Sequence, residues 1–286
     1  MTAFQIFVGF LLLLSWVGRP ILYRPAAKYF PPKISSVFTS TWLLIGLFIT
    51  FPLLGHLFYD NWRNVLLSPF TFIAIYKGVA LFYMILLQQL INKESTSSSV
   101  FLSFIALAIG ALINNILFLE GLGFIKVLCI FAFGILGTFF VIRGDAKRLS
   151  KQAQKAFIAV TLIMSSFVVS DHLTIPKIGW YPYLLVSSVT MFVMSALHGI
   201  SKQDFKNMFL NKSIALAGIF YTATEFFVIY VSTNILPASI VAVFLRLSVP
   251  IVMIYSAIRY KEQNIKNQLV FGVCAIILAI PIILIK

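Results

Sequence analysis

Charged residues are scarce in this sequence: Asp, Glu, Lys and Arg make up 10% of its 286 residues, whereas soluble domains carry about 25%. Hydrophobic residues make up 60%, and the mean hydropathy is +1.00. This composition excludes a water-soluble globular protein, and it also excludes a disordered chain, which would be poor in apolar residues. Long apolar runs with short connections instead predict an all-α polytopic membrane protein.

Cysteine and histidine are also few. The two cysteines, Cys129 and Cys274, lie inside apolar runs and indicate buried thiols rather than a disulfide framework. None of the three histidines has the spacing of a metal-ligand pair, and the sequence contains no Gly-rich phosphate-binding motif. We therefore expect no metal site, no cofactor and no ATPase domain.

Hydropathy and turn residues predict ten transmembrane helices. The predicted helices cover 3–23, 34–58, 66–91, 97–119, 123–142, 155–171, 180–199, 212–233, 237–258 and 268–285. Pro31-Pro32, Lys93-Glu94-Ser95, Arg143-Gly144-Asp145 and Leu236-Pro237 mark several boundaries between them. Most of these segments approach the roughly 20 residues that a helix needs to cross a bilayer.

The net charge of +14 resides mainly in the predicted connections. Fifteen of the 22 Lys and Arg residues lie in the connections after the first, third, fifth, seventh and ninth helices, and four lie in the other connections and at the C-terminus. The positive-inside rule places the first set in the cytoplasm and both termini outside. The charge therefore predicts orientation in the cytoplasmic (inner) membrane and contact with lipid, and no nucleic-acid partner.

A weak internal repeat with a spacing of about 145 residues divides the sequence into two halves. Matching positions include Ser35-Ser36-Val37 with Ser187-Ser188-Val189, Tyr76 with Tyr221, Val100-Phe101-Leu102 with Val243-Phe244-Leu245, and Cys129 with Cys274. The halves, 1–150 and 151–286, hold five predicted helices each, and an odd number of spans makes them inverted relative to one another. Inverted repeats are typical of secondary transporters, whose site lies at the midplane between the halves.

Three sequence motifs add a family resemblance. They are Trp16-Val17-Gly18, Pro32 before the second helix, and the stretch from Leu236-Pro237-Ala238-Ser239 through Leu247-Ser248-Val249-Pro250 to Lys261-Glu262 and Gly272. With the helix count and the repeat, they resemble the EamA-like, ten-helix branch of the drug/metabolite transporter superfamily. The resemblance implies a central cavity lined by helices 1, 3, 4, 6, 8 and 9. It also implies cytoplasmic termini, so the two orientations remain alternatives.

Four ionisable residues lie inside the predicted spans: Arg19, Lys77, Glu225 and Arg246. Each costs about 2.5–3.5 kcal/mol on insertion scales, so each is a candidate for function. Asp171 ends the sixth predicted helix, nearly at the place that the repeat relates to Arg19. The resemblance places all five on cavity-lining helices, where their sum of about +1 favours a ligand with an anionic group. Glu225 would serve a cationic group or a coupled proton, and Asp171 is a second candidate for proton coupling.

Structural roles for these charges remain alternatives. Lys77 and Glu225 could neutralise each other across the interface between the halves, and Arg19 could extend to the lipid headgroups. Aromatic residues next to the charges, Trp16, Tyr76 and Tyr221, could instead form a cage for a quaternary ammonium group.

We therefore predict a secondary transporter, not an enzyme, that acts by alternating access as a monomer or homodimer. Its substrate is an amino acid, another zwitterion or an organic anion, and the alternative is a choline-like quaternary ammonium or aromatic amine. The expected substrate-binding residues are Trp16, Arg19, Tyr76, Lys77, Tyr221, Glu225 and Arg246. A membrane-embedded lipid or sugar transferase and an accessory membrane subunit are the competing classes.

Overall fold

The computed structural model describes the backbone of residues 3–29, 32–56, 62–96, 124–143, 149–199, 212–236, 238–260 and 265–284, together with 98, 99, 102, 105, 106, 109, 112, 113, 201–203 and 206. Almost all of these residues are helical, and none of them forms a strand. The all-α prediction is therefore confirmed.

Ten helices have bounds within the described residues. They are α1 (Ala3–Tyr29), α2 (Pro32–Leu54), α3 (Trp62–Leu67), α4 (Phe70–Glu94), α5 (Phe124–Arg143), α6 (Lys151–Ile178), α7 (Trp180–Leu197), α8 (Lys212–Asn234), α9 (Ala238–Tyr260) and α10 (Ile265–Leu284). They coincide with nine of the ten predicted segments, and α3 is an additional short helix. The predicted helix 97–119 falls largely outside the described residues.

Helix α6 is longer than predicted at both ends. It begins at Lys151, where the Ser150 side chain accepts a hydrogen bond from the Ala153 amide and caps the first turn. It continues through Pro176 and ends where Gly179 adopts a φ of 83°, a conformation that favours glycine and stops a helix. Asp171 therefore lies inside the helix, and the prediction that it ends the helix is wrong.

Six of the described helices contain segments that are long and apolar enough to cross a membrane. These segments are Ala3–Leu22, Val37–Leu54, Phe70–Glu94, Lys151–Ile178, Trp180–Leu197 and Ile214–Ser232. Many large apolar side chains are exposed on the outside of the bundle, such as Phe48 and Phe72, each 75% exposed. The helices are consistent with a multi-pass membrane protein whose outer apolar surface faces lipid.

Contacts along each interface establish the relative directions of the helices that matter for the site. Between α1 and α8 the contacts are Gln5–Ile235 and Arg19–Glu225, and between α2 and α8 they are Trp42–Gly218 and Gly46–Thr222. Between α2 and α7 they are Leu47–Tyr181 and Ser40–Ser195, and between α4 and α7 they are Gly78–Ser187 and Phe82–His198. Residue numbers that rise together indicate parallel helices, and numbers that change in opposite directions indicate antiparallel helices. Helix α1 is thus antiparallel to α8, α8 is parallel to α2, α2 is antiparallel to α7, and α7 is parallel to α4. Helices α1 and α4 consequently run in the same direction.

Candidate functional site: a cavity between two ion pairs

A cavity of about 230 Å³ lies between helices α1, α4, α6 and α8. Five of the seven predicted substrate-binding residues line it, as does Asp171; the five are Trp16, Arg19, Lys77, Tyr221 and Glu225. Their positions in the sequence are far apart, and the packing of α1 on α8 and of α4 on α6 brings them together. The cavity is therefore the candidate site.

The first ion pair in the cavity joins α1 to α8. Arg19 Nη1 lies 2.5 Å from Glu225 Oε1, and the two side chains are 14% and 22% exposed. The Arg19 guanidinium carbon also lies 4.0 Å from the centre of the Tyr221 ring and 5.0 Å from that of Trp16. The arginine is thus held both by a carboxylate and by the negative faces of two aromatic rings.

The second ion pair joins α4 to α6. Lys77 Nζ lies 2.6 Å from Asp171 Oδ1, and the Tyr183 hydroxyl donates a hydrogen bond of 2.5 Å to the same oxygen. The ammonium group also lies 4.6 Å from the centre of the Tyr183 ring and 5.6 Å from that of Phe167. One carboxylate oxygen therefore receives a cation and a hydroxyl donor, an arrangement that orients Asp171 toward α4.

This pairing differs from the pairing considered from sequence. Lys77 binds Asp171 rather than Glu225, so the alternative of a Lys77–Glu225 pair is wrong, and Arg19 lines the cavity instead of extending to the headgroups. The physical reason is helix packing. Helix α1 packs against α8 and α4 packs against α6, so each cation meets the carboxylate on the helix that its own helix contacts. The four described charges balance, and the predicted surplus of +1 depended on Arg246, whose side chain lies outside the described residues.

Three amide side chains and a hydroxyl form another polar region of the cavity wall: Gln88, Gln89, Asn92 and Ser99. Gln88 Nε2 donates to Ser99 Oγ at 3.4 Å. Gln89 and Asn92 are each 3% exposed, and within the described part of the chain neither Gln89 Oε1 nor Asn92 Oδ1 has a hydrogen-bond partner. We call these four residues the amide end. The sequence analysis missed it, although two glutamines and an asparagine within five positions of an apolar helix were a signal.

The two ion pairs lie at similar depths along the cavity. Lys77 and Asp171 both contact Tyr183 of α7. Ile229, one turn after Glu225 on α8, packs with Trp180, Tyr181 and Leu184, the neighbours of Tyr183. Glu225 therefore lies within about two helical turns of the level of Lys77, and the amides of the amide end lie further along α4.

Apolar side chains line much of the rest of the cavity wall. They are Leu81, Met84, Ile85, Val228 and Ile229, which we call the apolar stretch. Among the predicted site residues whose side chains the structure describes, Tyr76 does not line the cavity. Tyr76 is 47% exposed and its hydroxyl lies 2.8 Å from Ser166 Oγ, and the Arg246 side chain belongs to the part of the chain that is not described.

Searches of protein-family models and of curated proteins find no match to this chain.

Proposed function

We propose that the protein is a secondary transporter that moves a small polar metabolite across the cytoplasmic membrane by alternating access. One observation carries the proposal: four ionisable side chains from four different apolar helices line a single cavity as two ion pairs. Charges inside membrane helices are costly, and they typically mark a substrate or ion pathway. We also propose that the chain belongs to the EamA-like branch suggested by its motifs.

The distribution of the ion pairs over the sequence supports a transport cycle. Each pair joins a residue from 1–150 to a residue from 151–286. If ten spans form two inverted repeats, α1 corresponds to α6 and α4 to α8, so the two pairs occupy equivalent interfaces with opposite polarity. Rocking of one half against the other would then separate one pair while it keeps the other closed. The lysine- and arginine-rich connections would face the cytoplasm in this arrangement.

The charge balance and size of the cavity favour a zwitterion over a simple organic anion. Two cations and two carboxylates line it, so a ligand with one charge of each sign can exchange ion-pair partners without leaving a charge unpaired. A cavity of about 230 Å³ is smaller than the roughly 300–1,000 Å³ of typical ligand pockets. It suits a metabolite rather than a lipid or a large drug.

The aromatic contacts weigh against the alternative of a quaternary ammonium substrate. The Arg19 guanidinium already lies over the Tyr221 and Trp16 rings, and the Lys77 ammonium lies over the Tyr183 ring. A cationic ligand would have to displace a side chain of the same charge from these rings. Glu225 and Asp171 remain the candidates for proton coupling, because each would be released from its cation when the interface opens.

Counterflow in proteoliposomes tests the transport proposal. Vesicles loaded with an unlabelled zwitterionic amino acid, organic anion or quaternary amine are diluted into the labelled compound, and uptake is followed with time. We expect saturable counterflow of at least one zwitterion, abolished in the Arg19→Met/Glu225→Gln double variant. The control is Arg259→Gln, an exposed arginine at the end of α9. Folded wild-type protein without counterflow of any compound would overturn the proposal, as would full activity of the double variant.

A further inference from the structure

We propose that Asp171 anchors the ammonium group of an aliphatic amino acid, through the carboxylate oxygen that its ion pair with Lys77 leaves open. The apolar side chain of the ligand then lies between α4 and α6, next to this anchor. The inference rests on the proposed function, and it adds a binding residue and the chemical class of the substrate. From the sequence, Asp171 was a candidate only for proton coupling.

The open oxygen of Asp171 is the first argument. Lys77 Nζ and the Tyr183 hydroxyl both donate to Asp171 Oδ1, and Asp171 Oδ2 accepts no hydrogen bond from any described residue. Unlike the enclosed amide oxygens of Gln89 and Asn92, Oδ2 is accessible, and the Asp171 side chain lines the cavity. A charged oxygen in this position can accept a further charge-assisted hydrogen bond from a ligand.

The unequal exposure of the two partners is the second argument. The Asp171 side chain is 38% exposed, whereas that of Lys77 is 10% exposed and its ammonium group lies over two aromatic rings. In the other ion pair, Arg19 is 14% exposed and Glu225 is 22% exposed. Asp171 is therefore the most accessible of the four ion-paired side chains. A ligand meets negative charge first in this cavity, and the complementary group is a cation.

An ammonium group fits this anchor without displacing Lys77, because the lysine occupies the other oxygen of Asp171. A primary ammonium carries three N–H donors and hydrogen-bonds a carboxylate directly, whereas a quaternary ammonium carries none. A simple amine would add a positive charge to a cavity whose described charges balance, and an uncompensated charge is costly away from water. The carboxylate of an amino acid restores the balance, so an amino acid is favoured over a simple amine.

The walls beside the anchor specify the rest of the ligand. Helices α4 and α6 are antiparallel, because Lys77 pairs with Asp171 and Glu94 with Ser150. The residues after Lys77 and those before Asp171 therefore lie on the same side of the ion pair. There both helices present apolar side chains to the cavity: Leu81, Met84, Ile85, Met164 and Phe167. An aliphatic side chain would be stabilised by burial against them, whereas a polar one would lose its hydrogen bonds to water.

Four related probes test the ligand class by calorimetry and thermal shift on the detergent-purified full chain. L-leucine carries the ammonium, the carboxylate and an isobutyl side chain. N,N,N-trimethyl-L-leucine keeps both charges and lacks N–H donors, 4-methylpentanoate lacks the ammonium, and glycine lacks the side chain. We expect leucine to bind and each of the other three to bind at least tenfold more weakly. No binding of leucine, or equally tight binding of any of the other three, would overturn the proposed ligand class.

Variants of the anchor locate the ammonium group. Asp171→Asn removes the charge of the open oxygen at nearly constant volume, and Lys77→Met/Asp171→Asn removes it without leaving the lysine unpaired. We expect both to weaken leucine binding at least tenfold and to lose the preference for leucine over its trimethylated form. Glu94→Gln, which neutralises an exposed carboxylate at the end of α4, is the matched control and should bind leucine within threefold of the wild type. Wild-type affinity in the folded double variant would refute the anchor.

Binding and transport can fail independently in these experiments. Leucine binding that depends on Asp171, without counterflow of any compound, would reject the transporter and support the anchor. Counterflow of leucine that Lys77→Met/Asp171→Asn leaves unchanged would reject the anchor and leave the transporter in place. Circular dichroism and size-exclusion chromatography of every variant distinguish lost binding from lost folding.

Discussion

Arg19 and Glu225 form an ion pair across 206 positions of sequence, with 2.5 Å between Arg19 Nη1 and Glu225 Oε1. The same guanidinium lies 4.0 Å from the centre of the Tyr221 ring. Tyr221 and Glu225 are four residues apart on α8 and therefore lie on the same face of that helix. One helix face thus supplies a carboxylate and an aromatic ring to a single arginine, and this contact links the N-terminal and C-terminal parts of the bundle.

Breaking this pair on one side should destabilise the protein more than removing it entirely. Glu225→Gln leaves the partly buried Arg19 charge without its carboxylate, which we expect to cost about 3 kcal/mol of the free energy of unfolding. The double variant Arg19→Met/Glu225→Met should lose less than Glu225→Gln alone, because it leaves no charge unpaired, and less than the sum of the two single variants. Chemical denaturation in detergent measures these values. Strict additivity of the single effects would show that the pair contributes no coupling.

The Tyr183 hydroxyl should stabilise the second ion pair. Tyr183→Phe removes the hydrogen bond to Asp171 and keeps the ring beside Lys77, so we expect a loss of about 1.5–3 kcal/mol, typical of a hydrogen bond to a charged group. Thermal unfolding compares it with Tyr230→Phe, which changes a tyrosine that is 44% exposed on α8. Equal melting temperatures for these two variants would contradict the assignment.

Helices α4 and α7 approach each other closely at Gly78. A Cβ atom at this position would clash with the Ser187 carbonyl oxygen, whereas a Cβ at Gly134 in α5 would meet no atom of the described residues within 4 Å. Gly78→Ala should therefore destabilise the protein by about 1–3 kcal/mol through overpacking. Gly134→Ala should be neutral or stabilising, by up to about 1 kcal/mol, because alanine is the better helix former. The denaturation midpoint of Gly78→Ala should lie below that of the wild type, and the midpoint of Gly134→Ala should lie at or above it.

Glu94, at the end of α4, should stabilise the first turn of α6 through Ser150. The Glu94 carboxylate accepts hydrogen bonds from the Ser150 amide and hydroxyl, at 2.8 and 2.7 Å, while Ser150 Oγ accepts from the Ala153 amide. Ser150→Ala should cost about 1 kcal/mol, as for loss of an N-cap. Hydrogen exchange should become faster in the first turn of α6 in Ser150→Ala and in Glu94→Gln. Unchanged exchange in Glu94→Gln would show that Ser150 caps the helix without this carboxylate.

Much of the fold follows from composition and hydropathy, because an apolar chain with few charges must satisfy its backbone hydrogen bonds within helices when it lies in lipid. The helix type and the approximate segments were predicted for the described residues. Helix ends were less predictable. Asp171 was predicted to end the sixth helix, whereas the positive φ of Gly179 ends α6 seven residues later.

The candidate site was predictable in its residue types and not in its pairs. The cost of a charge inside an apolar helix singled out Arg19, Lys77 and Glu225, and these three side chains line one cavity. Their partners could not be derived, since pairing depends on which helices touch and at what depth. The amide oxygens of Gln89 and Asn92 were missed for a related reason, because only tertiary packing decides whether an amide near a helix end is hydrated or buried.

The sequence by itself therefore determined an all-helical protein with apolar helices long enough to cross a membrane, and it identified the rare charges within them, because both properties depend on local composition. Only the tertiary structure decided that Arg19 binds Glu225, that Lys77 binds Asp171, and that these four side chains line one cavity. Distances between side chains depend on how whole helices pack against one another, and the sequence of a single helix does not contain that information.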